Sequence, residues 1–183
     1  SMGESAINIM FKSGFIGIIG RPNAGKSTLF NAIIGDKISI MTHKPQTTRN
    51  KITGIKNYPD AQLIFLDTPG MHKPKTPLNR AMVRTTREAI GSVDVLLMMI
   101  EAQTDVQPHD LFLIESLNET KAPVLLVINK IDLIEKKFLL PLMDKFRRIY
   151  DFREIVPISA LHGNGVEELL TIVKEMLPEG PKY

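Results

Sequence analysis

Directly after its first apolar segment the chain contains Gly20-Arg21-Pro22-Asn23-Ala24-Gly25-Lys26-Ser27. This stretch matches the pattern G-x-x-x-x-G-K-[ST], in which a strand leads through a glycine-rich turn into a helix. Glycines let the backbone wrap closely around phosphate groups, and the helix N-terminus adds positive potential. We therefore predict a phosphate site in which Lys26 contacts the β- and γ-phosphates and Ser27 contacts Mg²⁺. The predicted phosphate-binding residues are Asn23, Ala24, Gly25, Lys26, Ser27 and Thr28.

Short apolar segments alternate with segments of helical spacing along the chain. The predicted strands are residues 15–19, 62–67, 93–100, 124–129 and 155–158. The predicted helices are residues 26–34, 79–90, 108–117, 138–150 and 166–177. Such alternation is typical of an α/β doubly wound sheet that binds its ligand at the carboxyl edge of the strands. Two polar, basic segments, residues 37–51 and 68–78, are predicted to be loops at that edge.

The bulk composition predicts one globular domain. The 183 residues are 43% hydrophobic and 23% charged, and the absence of cysteine favours a reducing compartment such as the cytoplasm. The longest strongly apolar segment, residues 93–100, contains Asp94 and is too short to span a bilayer. Ser1 and Met2 are typical of a tag remnant. We accordingly predict a lead at residues 1–13, a domain at 14–178 and the start of a linker at 179–183.

The two halves of the chain differ in charge. Residues 1–87 hold 13 Lys and Arg against 4 Asp and Glu, whereas residues 88–183 hold 10 against 16. A basic half can indicate a nucleic-acid partner, but part of it must face the nucleotide and solvated surface is the commoner reading. We expect the domain alone to bind RNA weakly and with strong salt dependence, because its few Tyr and Phe residues belong mostly to the core.

Two further motifs follow predicted strands. Asp67-Thr68-Pro69-Gly70 can hold Mg²⁺ through Asp67 and sense the γ-phosphate through the N–H of Gly70, with an ordinary turn as the alternative. Asn129-Lys130-Ile131-Asp132 reads the base, because an ionised carboxylate accepts from both N1–H and the N2 amine of guanine. Lys130 can cover the base with its methylene stem. Asn129 can join this loop to the phosphate loop, residues 20–27. The alternative role for Asp132 is a helix cap. A backbone N–H aimed at guanine O6 is expected from Ser159-Ala160, and Leu161 is also predicted to bind the nucleotide.

In this order the motifs resemble the GTPase superfamily, and finer stretches are similar to the bacterial Era GTPases. The stretches are residues 44–49, 65–74, 156–160 and 177–180. By this resemblance the fold is a Ras-like P-loop G domain, with a mostly parallel six-stranded sheet and helices on both faces. The resemblance implies a molecular switch that binds GTP or GDP and slowly hydrolyses GTP to GDP and phosphate with Mg²⁺.

The same resemblance implies partners and a location. Era GTPases act in assembly of the small (30S) ribosomal subunit and bind 16S ribosomal RNA through a KH domain that follows the G domain. Some members associate peripherally with the inner membrane face. The present sequence ends at Tyr183, so the KH domain is expected to be absent from it, and Ala24 replaces the commoner valine. We expect a cytoplasmic monomer.

Catalysis is also interpreted through the resemblance, which makes the two basic loops the switches. A threonine of the first loop completes the Mg²⁺ shell, and we favour Thr48 over Thr47. Met71 occupies the position where Ras-like domains have a water-orienting glutamine. Asn23 is instead predicted to help hold K⁺ against the phosphates, with a loop-bracing hydrogen bond as the alternative. The predicted catalytic residues are Lys26, Thr48, Gly70 and Asn23, and the predicted Mg²⁺ ligands are Ser27, Thr48 and Asp67.

Alternatives of a different class remain open. The chain can be an enzyme that turns over GTP, or a nucleotide-loaded binding module whose hydrolysis is incidental. Within the enzyme class the second hypothesis is a related translation-factor-like GTPase of another pathway. The four histidines show no ligand spacing, so the sequence predicts no zinc site.

Overall fold

The computed structural model describes residues 10–35, 51–67 and 93–183, and describes Lys51, Asp67 and Glu119 by their backbone alone. The predicted helix at residues 79–90 and the predicted loop at 68–78 lie outside the described residues, as does the predicted loop at 37–51 except for its last residue. That residue, Lys51, begins a strand, so the predicted end of the loop is one residue too late. Thr47, Thr48, Gly70 and Met71 therefore keep their status as predictions from sequence.

In the part of the chain that the structure describes, six strands form one sheet. They are β1 (Lys12–Gly20), β2 (Lys51–Tyr58), β3 (Ala61–Asp67), β4 (Val95–Glu101), β5 (Val124–Asn129) and β6 (Glu154–Pro157). Their order across the sheet is β2-β3-β1-β4-β5-β6. Strand β2 runs antiparallel to β3, and the other neighbouring pairs are parallel. The predicted six-stranded, mostly parallel sheet is thus confirmed.

Within the described ranges, four α-helices flank this sheet. They are α1 (Lys26–Ile34), α2 (Pro108–Glu115), α3 (Leu139–Ile149) and α4 (Val166–Met176). Alternate residues of each strand point to opposite faces, and β4 is buried on both. Leu97 belongs to the apolar cluster that includes side chains of α1 and α4. Its neighbour Met98 belongs to the second cluster, with side chains of α2 and α3. Helices therefore cover both faces, as predicted.

Strand β2 is absent from the sequence-based strand predictions. Among the described strands it lies at the edge of the sheet, where it pairs with β3. Its side chains are mostly partly exposed, so its sequence lacks the continuous apolar run of the inner strands. The register with β3 shifts between Ile52 and Gly54, which breaks the alternation further.

The carboxyl ends of the parallel strands bring the predicted motifs together. β1 ends at Gly20, β4 at Glu101 and β5 at Asn129, on one edge of the sheet. At the opposite end of β1, the residues predicted as a linker pack against the strand, where Gly180 N–H donates to Phe11 O at 3.0 Å. Among the helices of the described ranges, none is both long and apolar enough to cross a membrane.

Candidate functional site

The phosphate loop takes its shape from its backbone. After β1 the chain makes a short 3₁₀ turn at Pro22–Ala24 and then reaches Gly25, which has φ 98° and ψ 27°. This left-handed conformation is accessible to glycine at little cost. Gly25 is also the N-cap of α1, and glycine has no side chain to occupy the N–H groups of the first turn. The helix start is thereby suited to bind an anion.

Two glycines of this loop also approach neighbouring strands closely. A Cβ atom at Gly20 would lie 2.6 Å from the carbonyl oxygen of Met99 in β4. A Cβ atom at Gly25 would overlap the side-chain amide nitrogen of Asn129. The glycines of the motif therefore let the loop pack directly onto β4 and onto the residue that ends β5.

Asn129 connects the two loops of the site. Its side chain is buried, with 2% of the residue exposed. The amide nitrogen Nδ2 donates to Ala24 O at 2.9 Å, and Oδ1 accepts from the N–H of Ala160 at 2.9 Å. The tie to the phosphate loop that the sequence predicted is present, and a second tie reaches the loop after β6.

Lys130 has an unusual backbone conformation. Its φ of 63° is the one positive φ outside glycine in the part of the chain that the structure describes. The ammonium Nζ donates to Asn23 O at 2.8 Å and to Glu101 Oε1 at 2.6 Å. Lys130 therefore links the base loop, residues 129–132, to the phosphate loop.

Asp132 lies in the short 3₁₀ turn Ile131–Leu133 and keeps part of its carboxylate accessible. Oδ1 accepts from the Ser159 hydroxyl at 2.9 Å, and Oδ2 lies 3.6 Å from Nε2 of His162. About a third of the side chain, 34%, is exposed. A carboxylate has about four acceptor positions, so lone pairs remain for two further donors.

The loop after β6 is held by its own hydrogen bonds. The N–H of Ser159 donates to Asn164 O at 2.9 Å, and the N–H of Ala160 donates to Asn129 as described. The Ala160 N–H, a candidate for guanine O6 in the sequence interpretation, is thus engaged within the protein in this structure. The third predicted residue, Leu161, is 77% exposed.

The candidate Mg²⁺ ligands are described only in part. Ser27 is exposed in the first turn of α1, so its hydroxyl is accessible at the phosphate edge. Asp67 ends β3 and is paired with Ile18, two residues before the end of β1. A hydroxyl and a carboxylate are the oxygen ligands that Mg²⁺ prefers, so the described positions fit this ion. Within the described ranges no group of three or more His, Cys, Asp or Glu could hold a metal ion.

A cleft beside the phosphate loop is lined by the predicted residues Asn23 and Ala24, but also by Glu101, His109 and Asp110, which the motifs do not identify. Arg21 NH1 lies 3.0 Å from Nδ1 of His109, and the neighbouring Asp110 is buried in the first turn of α2. Burial raises the pKa of Asp110, although the N–H of Gln107 and the nearby His109 and Arg21 favour its charged form. Glu101 lines the same cleft. Glu101 is an acidic residue at the carboxyl end of the apolar strand β4. The same pattern led to the prediction of Asp67 as a Mg²⁺ ligand.

This geometry defines a P-loop nucleotide-binding domain. A family model described as "50S ribosome-binding GTPase" matches residues 15–130. The chain belongs to this GTPase family.

Within the family its similarity is to GTPases named Era, which confirms the predicted resemblance. It is 58% identical to GTPase Era of Syntrophus aciditrophicus (strain SB) over 176 residues, which are 96% of this chain and 58% of that protein. An Era variant from Aquifex aeolicus bound to GDP and AlF4⁻ is 42% identical, with a TM-score of 0.79, and the match covers 93% of this chain and 59% of that one.

A second solved structure contains RNA as well as nucleotide. It is Era in complex with MgGDPNP and nucleotides 1506–1542 of 16S ribosomal RNA, 42% identical with a TM-score of 0.80, and the match covers 94% of this chain and 59% of that one. The chain therefore spans less than two thirds of the length of these relatives.

Proposed function

We propose that this chain is a GTP-driven switch domain, which binds GTP or GDP with Mg²⁺ and hydrolyses GTP slowly. The observation that carries the proposal is the position of Asn129, whose buried amide bonds to both Ala24 and Ala160. One side chain thereby holds the phosphate loop and the base loop in a common frame, as a single nucleotide requires. The Era structures with GDP and AlF4⁻ or with MgGDPNP support this ligand class.

Guanine selectivity is assigned to Asp132. Its carboxylate accepts from Ser159 and is still 34% exposed, which leaves acceptor capacity toward a ligand. Guanine presents two adjacent donors, N1–H and the N2 amine, whereas adenine lacks this pair. A partly desolvated carboxylate facing adenine would lose hydrogen bonds to water without replacing them, and that loss excludes ATP.

Hydrolysis is assigned to residues of the phosphate edge. Ser27, with Asp67 and Thr48, would hold Mg²⁺, which supplies charge neutralisation on the phosphates when bound. Lys26 and the N–H of Gly70 would stabilise charge on the γ-phosphate, and water is the nucleophile.

Met71 occupies the position where Ras-like domains have a water-orienting glutamine, so another group must act in its place. A thioether is at best a weak acceptor and cannot orient water. Asn23 lies exposed in the 3₁₀ turn of the phosphate loop, where it can help hold K⁺ against the phosphates.

For the full-length protein we propose a role in assembly of the small ribosomal subunit through 16S ribosomal RNA. The support is the Era complex with nucleotides 1506–1542 of that RNA. The family description names the large subunit, but the match to the Era complex with 16S ribosomal RNA covers 94% of this chain, so the proposal follows that complex. RNA binding is assigned to a KH domain outside this sequence. A cytoplasmic monomer, with peripheral contact to the inner membrane face, belongs to the same proposal.

Multiple-turnover phosphate release tests the enzymatic function. Purified chain is mixed with excess GTP and Mg²⁺, and phosphate is followed over many equivalents, with ATP and with EDTA as matched controls. We expect slow, continuous release that requires both GTP and Mg²⁺. Tight GTP binding with release that stops after one equivalent would identify a nucleotide-loaded scaffold instead.

A further inference from the structure

We propose that Glu101 is a positioning residue for guanine nucleotide binding and that it acts through Lys130, an inference that rests on the proposed function. Glu101 is the last residue of β4, and its Oε1 lies 2.6 Å from Lys130 Nζ. The same ammonium donates to the carbonyl of Asn23 at 2.8 Å. The carboxylate therefore fixes the lysine head group where it joins the base loop to the phosphate loop.

The other end of the lysine is fixed by its backbone. Lys130 has φ 63° and ψ 35°, a conformation that non-glycine residues keep only where the surroundings impose it. Hydrogen bonds hold the backbone on both sides, from Ala102 N–H to Asn129 O at 2.7 Å and from Ile131 N–H to Ile158 O at 3.3 Å. The lysine stem is thus held at both ends, which fixes it as a surface for the base.

Glu101 also has a second effect, which lowers the affinity for the nucleotide. Its side chain is 32% exposed and lines the cleft beside Asn23, so its negative charge also repels phosphates. If repulsion dominated, neutralising Glu101 would tighten nucleotide binding. If positioning dominates, the same change releases the head of Lys130 and weakens binding. The direction of the change therefore separates the two effects.

The test measures the affinity and dissociation rate of fluorescently labelled GDP for the full chain. We expect Glu101→Gln, which keeps a neutral acceptor, to weaken binding about threefold, and Glu101→Ala to weaken it about tenfold. The loss should appear mainly as faster dissociation. Glu115→Gln, the same charge change on an exposed residue at the end of α2, is the control and should leave the affinity unchanged.

A double-mutant cycle distinguishes positioning from a general structural role. In a Lys130→Met background, which keeps much of the stem but removes the ammonium, Glu101→Ala should cause no further loss. An undiminished loss in that background, or tighter GDP binding by Glu101→Gln, would overturn the inference. If the unchanged chain failed to bind GDP, the proposed function itself would be wrong, an outcome that the natural sequence alone reveals.

Discussion

The phosphate half and the base half of the site are built differently. The phosphate loop is shaped by backbone, with Gly25 at φ 98° and a glycine packed against each neighbouring strand end. The base half is shaped by side chains, since Asn129, Lys130 and Asp132 all make polar contacts through their side chains. Substitutions in the first half should therefore change whether any nucleotide binds, and substitutions in the second should change which one.

The largest effect is expected at the junction of the halves. Gly25→Ala adds a Cβ that overlaps the Asn129 amide and places alanine at φ 98°. Backbone strain of this kind costs about 1–3 kcal/mol. Because the strain and the overlap at Gly25 act within the phosphate loop, they should displace it from the shape that binds phosphate, and affinity for GDP and GTP alike should fall at least about 100-fold. Titration with labelled nucleotide measures the loss.

Gly163→Ala is the matched control for backbone strain. Gly163 has φ 81°, but a Cβ there meets nothing within 4 Å. The free energy of unfolding should decrease while nucleotide affinity stays close to normal. Equal affinity losses in both variants would show that the overlap with Asn129 is unimportant.

The second effect concerns the side chain that joins the halves. Asn129→Ala leaves Ala24 O and Ala160 N–H without their buried partner, and each such group costs about 1–3 kcal/mol. We expect the free energy of unfolding to fall by about 2–4 kcal/mol, as urea denaturation measures, together with a loss of GDP affinity.

Gln62→Ala provides the comparison for Asn129→Ala. Gln62 is also buried, with 4% of the residue exposed, and its amide bonds to Asn57 and to the N–H of Tyr183, away from the nucleotide edge. This variant should be destabilised without losing GDP affinity. If it lost affinity as strongly as Asn129→Ala, general destabilisation would explain both.

The third effect is confined to the base half. Asp132→Asn removes a charged acceptor and should cost about 1.5–3 kcal/mol in GTP affinity. Because an amide can donate where the carboxylate cannot, the variant should gain affinity for xanthosine diphosphate, which has a carbonyl in place of the N2 amine. Calorimetry with GDP and xanthosine diphosphate checks both expectations. Unchanged preference for guanine would locate base recognition elsewhere.

A smaller effect is expected for the cation. GTP hydrolysis should be about tenfold faster in KCl than in NaCl at equal ionic strength, and Asn23→Ala should remove most of the difference. Equal rates of the natural sequence in both salts would remove the K⁺ proposal. A large loss of rate in Met71→Ala would show that the second switch was misinterpreted.

The smallest effect lies outside both halves, at the segment that leads into α2. A hydrogen bond from Lys145 lowers the pKa of Asp105 below 3.8, with a further contribution from the N–H of Val106. Because the pKa of Asp105 is lowered in the folded state, its ionised carboxylate stabilises the fold above pH 3.8. This contribution is lost as the pH falls through the folded-state pKa. Asp105→Asn should reduce stability slightly at pH 7, and urea denaturation at pH 3 should show a smaller difference. GDP affinity should not change.

Much of this architecture follows from sequence because parallel strands buried on both faces, such as β4 and β5, read as continuous apolar runs. Strand β2 escapes that rule, since an edge strand with partly exposed side chains needs no such run. In the site, the motifs name Gly25 and Asn129, but neither Glu101 nor the bond between Ala160 and Asn129 follows from spacing. Those contacts arise where strand ends meet, which only the folded chain defines.

Asn129 and Asp132 are expected to complete one site for a guanine nucleotide on the phosphate loop. Competition of unlabelled GDP and ADP against labelled GDP, with the unmodified chain and Mg²⁺, tests it most directly. ADP lacks the two donors that face the partly desolvated carboxylate of Asp132. Its affinity should therefore be at least about 100-fold lower than that of GDP. Equal competition by ADP would contradict the claim.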